Sequence, residues 1–342
     1  MRAFITGIAG PALTLEERDF LRTAQPWGLI VFARNVASPE QLRRLIADFR
    51  ELLGRDAPVL IDQEGGRVQR LGPPHWPSYP PGAAYGELFD RNRKMGLAAA
   101  RLGARLIAAD LAALGIDVDC LPLADMPVPG ADQVIGDRAY GTRPDKVAAI
   151  AGAIAQGLEE GGVLPVLKHI PGHGRATADS HHKLPVVNAD RATLAATDFA
   201  AFRPLAALPL AMTAHVVFSA LDPVAPATTS VSIVRDVIRD SIGFNGLLMS
   251  DDMSMGALSG TISERTSAAI AAGCDIVLHC NGKMPEMHEV ASAAPLLAGE
   301  AARRAAAALA RKRPPLPIEP AAARAEFLSL LAGIWRPAEA PA

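Results

Sequence analysis

Apolar residues fall into short runs along the chain, separated by longer stretches with helical spacing. The runs are Ala3–Ile8, Gly28–Phe32, Pro58–Ile61, Ile116–Leu123, Val163–Leu167, Leu208–Thr213, Gly246–Met249 and Asp275–Leu278. Runs that are apolar on both faces suit parallel strands covered by helices. Between them, Ser38 predicts a helix cap with Pro39 at the first helical position. Leu42, Leu45, Ile46, Phe49 and Leu52 then recur at intervals of three and four, the spacing of one buried helix face. Met95–Leu114 and Val147–Leu158 carry similar, alanine-rich helical patterns. Eight strand candidates with intervening helices predict an α/β fold closed as a single-domain (β/α)8 TIM-type barrel over residues 1–336, with an open doubly wound sheet as the alternative. Ala321–Trp335 is expected to dock on the barrel as a final helix, and residues 337–342 to be a loose tail.

Composition narrows the partners. Half of the 342 residues are apolar, enough for a large core, and the formal charge is -2. With a pI near 6.5, nothing electrostatic points to nucleic acid or an anionic membrane. Cys120, Cys274 and Cys280 form an odd, sparse set without a CxxC pair, which predicts reduced thiols. The N-terminal apolar stretch is broken by Gly7, Gly10 and Pro11 and followed closely by Glu16, Glu17 and Arg18. It is a poor secretion signal and too short to span a bilayer. A cytoplasmic protein without membrane insertion, monomeric or weakly dimeric, is expected.

In a parallel barrel, chemistry gathers at the C-terminal ends of the strands. Val59-Leu60-Ile61 is followed by Asp62-Gln63-Glu64-Gly65-Gly66-Arg67-Val68-Gln69-Arg70. Val163–Leu167 is followed by Lys168-His169-Ile170-Pro171-Gly172-His173-Gly174, Ala211-Met212-Thr213 by Ala214-His215, and Leu247-Leu248-Met249 by Ser250-Asp251-Asp252-Met253. Four elements therefore deliver charged or imidazole groups to one end. Four of the eight histidines lie between His169 and His182. They could bind a metal together with Asp179, but their spacing is not a zinc pattern. The other reading is proton transfer: Asp179 could orient His181 as a general acid/base, with the adjacent His182 not separable by spacing. Asp251 and Asp252 should project in opposite directions if the strand continues. One would then face the barrel mouth, where a carboxylate can attack a sugar carbon, while the other holds a loop or a cation.

These segments resemble the β-N-acetylglucosaminidases of glycoside hydrolase family 3. The resemblance rests on Asp62-Gln63-Glu64-Gly65-Gly66-Arg67-Val68, on the Lys168–Gly174 loop joined to Asp179-Ser180-His181, on Thr213-Ala214-His215 and on Ser250-Asp251-Asp252-Met253-Ser254-Met255. Ile135–Gly141 adds a further matching piece. Ile170 stands where an aromatic is common in the family, and Ala139-Tyr140 where Ser-Phe is frequent. The chain is similar to the short, single-domain bacterial members of cell-wall recycling.

The resemblance implies roles. Asp251 is the nucleophile, and Asp179 and His181 form the acid/base dyad. Asp62, Arg70, Arg138, Lys168, His169 and His215 hold the terminal sugar. No metal and no cofactor is required. The implied substrate is a small carbohydrate or muropeptide, N-acetylglucosamine linked to 1,6-anhydro-N-acetylmuramic acid with or without its peptide.

Overall fold

The computed structural model describes residues 1–337. Apart from Pro337, the tail expected to be loose lies outside the described residues. Each of the eight apolar runs contributes one strand to a closed parallel barrel: β1 (Arg2–Thr6), β2 (Pro26–Val31), β3 (Val59–Ile61), β4 (Val118–Asp119), β5 (Leu164–Ile170), β6 (Leu210–Thr213), β7 (Leu247–Asp252) and β8 (Ile276–His279). They pair in chain order, and β1 closes the ring on β8 through Phe4 opposite Val277 and Ile5 opposite Leu278. The barrel is therefore the arrangement formed, and the open sheet is not.

Two apolar layers explain why the runs lack clean alternation. Ile5, Leu60, Val166, Met212, Leu247, Met249 and Leu278 fill the barrel interior. Their strand neighbours Phe4, Val59, Ile61, Leu167, Ala211, Leu248 and Val277 face the surrounding helices. A strand buried on both faces carries apolar residues at odd and even positions alike. The run over Ile116–Leu123 yields only a two-residue strand, because Pro122 has no N–H to give to a ladder; a single bridge from Leu123 to Lys168 resumes the pairing.

The helices start and stop where local chemistry directs. Ser38 accepts the backbone N–H of Gln41 and caps the Pro39–Leu53 helix, which buries Leu42, Leu45, Ile46, Phe49 and Leu53. The two alanine-rich patterns become the Arg93–Ala112 and Pro144–Glu160 helices, packed against each other at the small residue Gly157, where a Cβ would lie 2.2 Å from the Arg101 carbonyl. The last helix, Pro320–Leu330, inserts Phe327 between Tyr79 and Tyr85 over Gly103. Among the described residues, no helix is long and apolar enough to cross a membrane.

Candidate active site

Strand parity sets the floor of the barrel mouth. Side chains alternate along a strand, so Asp62, Lys168 and Asp251 continue the inward rows of Leu60, Val166 and Met249. All three line one open cavity of about 500 Å³. The Lys168 ammonium is buried and donates to Asp62 Oδ1 at 3.0 Å, and lies 2.6 Å from Glu64 Oε1. Arg70 donates to Asp62 Oδ2 at 3.1 Å, and Arg138 grips Glu64 through two bonds of 2.8 and 2.9 Å. Burial pushes the Asp62 and Glu64 carboxyls up, but the adjacent cations outweigh it. Asp62 is held far below the usual carboxylate range and Glu64 comes down to about 2. The same carboxylates hold the Lys168 ammonium protonated against its burial. Three cations and the Asp62 carboxylate thus present a fixed set of donors and acceptors suited to sugar hydroxyls, with the buried Glu64 holding Arg138 and Lys168 in place.

Arg70 reaches this cluster because the segment after β3 folds back as a hairpin, Gln63–Gly65 against Val68–Gln69. Gln63 braces the return by accepting the N–H groups of Arg70 and Leu71. Gly65 has φ +94°, and a Cβ there would lie 2.3 Å from the Pro80 carbonyl, so the turn requires glycine.

On the opposite wall, β7 continues through both aspartates. They differ in what holds them. Asp252 accepts from Ser254 N, Ser254 Oγ and Cys280 N, which makes it the carboxylate that secures the loop. Both are half-buried and line the cavity, so the expectation that only one faces the mouth does not hold, because the strand register shifts between Met249 and Asp252. Asp251 accepts the N–H of Asp252 at 2.8 Å. Burial raises its pKa, but the imidazoles of His215 and His169 and the Asp252 N–H together lower it below the ordinary carboxylate value. An ionised carboxylate at this point is competent as a nucleophile.

The third wall is the loop after β5. Asp179 Oδ1 lies 2.7 Å from His181 Nδ1, and both residues line the cavity with Asp251. The loop is seated on the turn that follows β7: Gly256 N donates to the His181 carbonyl and Ala257 N to that of Ser180, both at 3.1 Å. Arg175 anchors its base on Asp198 and Thr197. The segment that carries Asp179 and His181 thus rests against the turn that follows Asp251 and Asp252. Among the described residues, no three His, Cys, Asp or Glu side chains form a metal-holding group.

Of the expected sugar-binding residues, Asp62, Arg70, Arg138, Lys168 and His169 line the cavity. His215 does not. It is fully buried beneath the floor, with Nδ1 on Thr228 Oγ1 at 2.7 Å and Nε2 on the Asp252 carbonyl at 3.0 Å. With both nitrogens engaged, His215 supports the end of the strand that carries Asp251 and has no ring nitrogen left for a sugar. Several residues were overlooked in the sequence. Glu64 stood two positions after Asp62, the strand period, and its partner Arg138 is 74 residues away. Asp125 follows the Ile116–Leu123 run, at the same end as the other polar groups; it is fully buried, 2.6 Å from His169 Nδ1. Phe32, with Arg34 and Arg70 over its ring at 4.8 and 5.3 Å, completes the rim.

A strand-end cluster of carboxylates and cations, facing a carboxylate and an Asp–His pair across one cavity, is the equipment of a glycosidase. The model of the glycosyl hydrolase family 3 N-terminal domain matches residues 8–310. The chain belongs to glycoside hydrolase family 3.

Within the family it stands with the β-hexosaminidases, a class of glycosidases. The beta-hexosaminidase of Aromatoleum aromaticum is 38% identical over 278 residues, covering 80% of this chain and 78% of that protein. That of Thioalkalivibrio sulfidiphilus is 40% identical over 280 residues, covering 80% and 79%. The crystal structure of NagZ from Neisseria gonorrhoeae in complex with N-trifluoroacetyl-D-glucosamine superposes with a TM-score of 0.84 at 32% identity, over 97% of this chain and 96% of that one. A family 3 β-N-acetylglucosaminidase from Paenibacillus also gives 0.84 at 28% identity, over 96% of this chain but only 66% of that one.

Proposed function

We propose that this β-hexosaminidase-type glycosidase is a retaining, exo-acting β-N-acetylglucosaminidase working by double displacement. The observation that carries the reading is that Asp251 and the Asp179–His181 pair line one cavity with the Lys168, Asp62 and Arg70 cluster. The terminal N-acetylglucosamine sits over Asp62, Arg70, Arg138, Lys168 and His169, which hold its hydroxyl and acetamido groups. Asp251 attacks the anomeric carbon and the bond to the leaving oxygen breaks. His181, oriented through Nδ1 by Asp179, delivers its Nε2 proton to that oxygen. Water then attacks the glycosyl–Asp251 ester while neutral His181 takes its proton, which restores Asp251 and retains configuration. His215 and Asp252 keep the β7 strand end in register for the attack.

The bound N-trifluoroacetyl-D-glucosamine of the gonococcal NagZ supports a sugar with a 2-acylamino group as the ligand. The proposed natural substrate is N-acetylglucosamine β-linked to 1,6-anhydro-N-acetylmuramic acid, free or carrying its peptide. A cytoplasmic setting fits three buried cysteines that are all free. The test is hydrolysis of 4-nitrophenyl β-N-acetylglucosaminide beside the β-glucoside, each with chelator and with phosphate. Release of N-acetylglucosamine, absent with the glucoside and indifferent to both additions, is expected. A sugar phosphate product, or silence on the acetamido substrate, overturns the reading.

A further inference from the structure

Asp125 takes no direct part in the chemistry above, yet it touches two walls of the cavity. It is fully buried. Oδ2 lies 2.6 Å from His169 Nδ1 on the sugar-binding side. Oδ1 accepts the backbone N–H of His173 at 2.6 Å, inside the loop that leads to the dyad. The connection continues from His173. Its buried ring places Nε2 2.9 Å from Ser180 Oγ, and Ser180 is the residue between Asp179 and His181. Ser180 is itself buried, and its carbonyl is held from the other side by Ala257 N. The dyad is therefore clamped at its middle residue, by the His173 ring on one side and the β7 turn on the other. Burial holds the His173 imidazole neutral, with its pKa brought down to about 4, so the contact with Ser180 is a neutral hydrogen bond with no charge to be solvated.

We infer that Asp125, His173 and Ser180 form a relay of positioning residues that ties the sugar-binding His169 to the acid/base His181, so that the grip on the sugar and the placing of the proton donor are set by one carboxylate. The relay rests on the dyad reading of Asp179 and His181. Its members act through His181, and their removal must weaken proton donation selectively. A merely structural role would lower all rates alike.

A double-mutant cycle tests this, with phenyl β-N-acetylglucosaminide as the poor leaving group and the 2,4-dinitrophenyl glycoside as the activated one. Ser180→Ala is expected to lower kcat/KM about 10-fold on the phenyl substrate, the size of one neutral hydrogen bond, with little change on the dinitrophenyl substrate. In a His181→Ala background the same substitution should cost nothing further on the phenyl substrate. Asp125→Asn should show the same leaving-group dependence and also raise KM, because His169 loses its carboxylate. Equal Ser180→Ala losses on both substrates, or an undiminished loss in the His181→Ala background, overturn the relay alone. If His181→Ala itself slows both substrates equally, the dyad reading fails and the relay with it.

Discussion

Asp179 holds His181 at two points: one carboxylate oxygen accepts the ring Nδ1–H at 2.7 Å and the backbone N–H at 2.9 Å. A carboxylate only accepts, so the Nδ1 proton is fixed on the ring and Nε2 is left as the nitrogen that exchanges. The backbone N–H, together with the ring, overcomes the effect of burial and keeps Asp179 ionised. His181→Ala should therefore cost about 10²- to 10⁴-fold in kcat on substrates with poor leaving groups and far less on activated aryl glycosides. Initial rates on a series of aryl N-acetylglucosaminides measure this. A uniform loss across the series would remove His181 as the acid.

Asp251→Ala should abolish turnover, by on the order of 10⁴-fold or more in kcat, while the melting temperature stays near that of the parent. A 5-fluoro N-acetylglucosaminyl donor should trap the ester, and peptide mass spectrometry should find the label on Asp251. Label elsewhere, or none with full inactivation kinetics, would reassign the attack to the acetamido oxygen or another carboxylate.

Acid should unfold the protein in two stages. His173 and His215 are both held below their ordinary value of 6.5 by burial, His173 at about 4. Below pH 6.5 the unfolded chain takes up protons at these sites that the folded chain does not, so stability falls between about pH 6.5 and 4. Glu64, lowered from 4.5 to about 2, adds a second loss as pH drops through that lower window. Calorimetric Tm values across pH 7 to 3 report both stages. A His173→Gln variant should show a shallower slope in the upper window, and parallel slopes would exclude His173 as a contributor.

Gly174→Ala should dislodge the loop. A Cβ there would lie 2.1 Å from the Met126 carbonyl and 2.2 Å from its carbon, both backbone atoms that cannot swing away. Overpacking of this kind costs about 1–3 kcal/mol, and moving the segment ahead of Ser180 should depress kcat more than KM. Wild-type rates together with a wild-type Tm would mean that the loop has room to spare.

Arg138→Ala should destabilise the barrel by about 3–5 kcal/mol, because Glu64 would remain buried with Lys168 as its sole cation. Urea unfolding gives the number directly. A loss below 1 kcal/mol would show that the two-bond pair is dispensable, and pairing Arg138→Ala with Glu64→Gln should recover part of the loss.

Much of the fold was legible in the chain because it is local. A strand buried on both faces needs a run of apolar residues, and all eight runs became barrel strands. Ser38-Pro39 and the spacing of Leu42, Leu45, Ile46 and Phe49 announced a capped helix with one buried face, since capping and periodicity act within a few residues. The charged residues after β3, β5 and β7 could be assigned to one end of the barrel for the same reason: parallel strands all finish on the same side. Tertiary structure decided the rest. Ring closure depends on β1 meeting β8, more than 270 residues later. The roles of Arg138, Asp125 and His215 depend on Glu64, His169, Thr228 and the Asp252 carbonyl, none of them within ten residues. A side chain's charge is written in the sequence. Whether that charge is met by a partner, a backbone carbonyl or open cavity is a matter of distance in space, and that emerges only when the barrel closes.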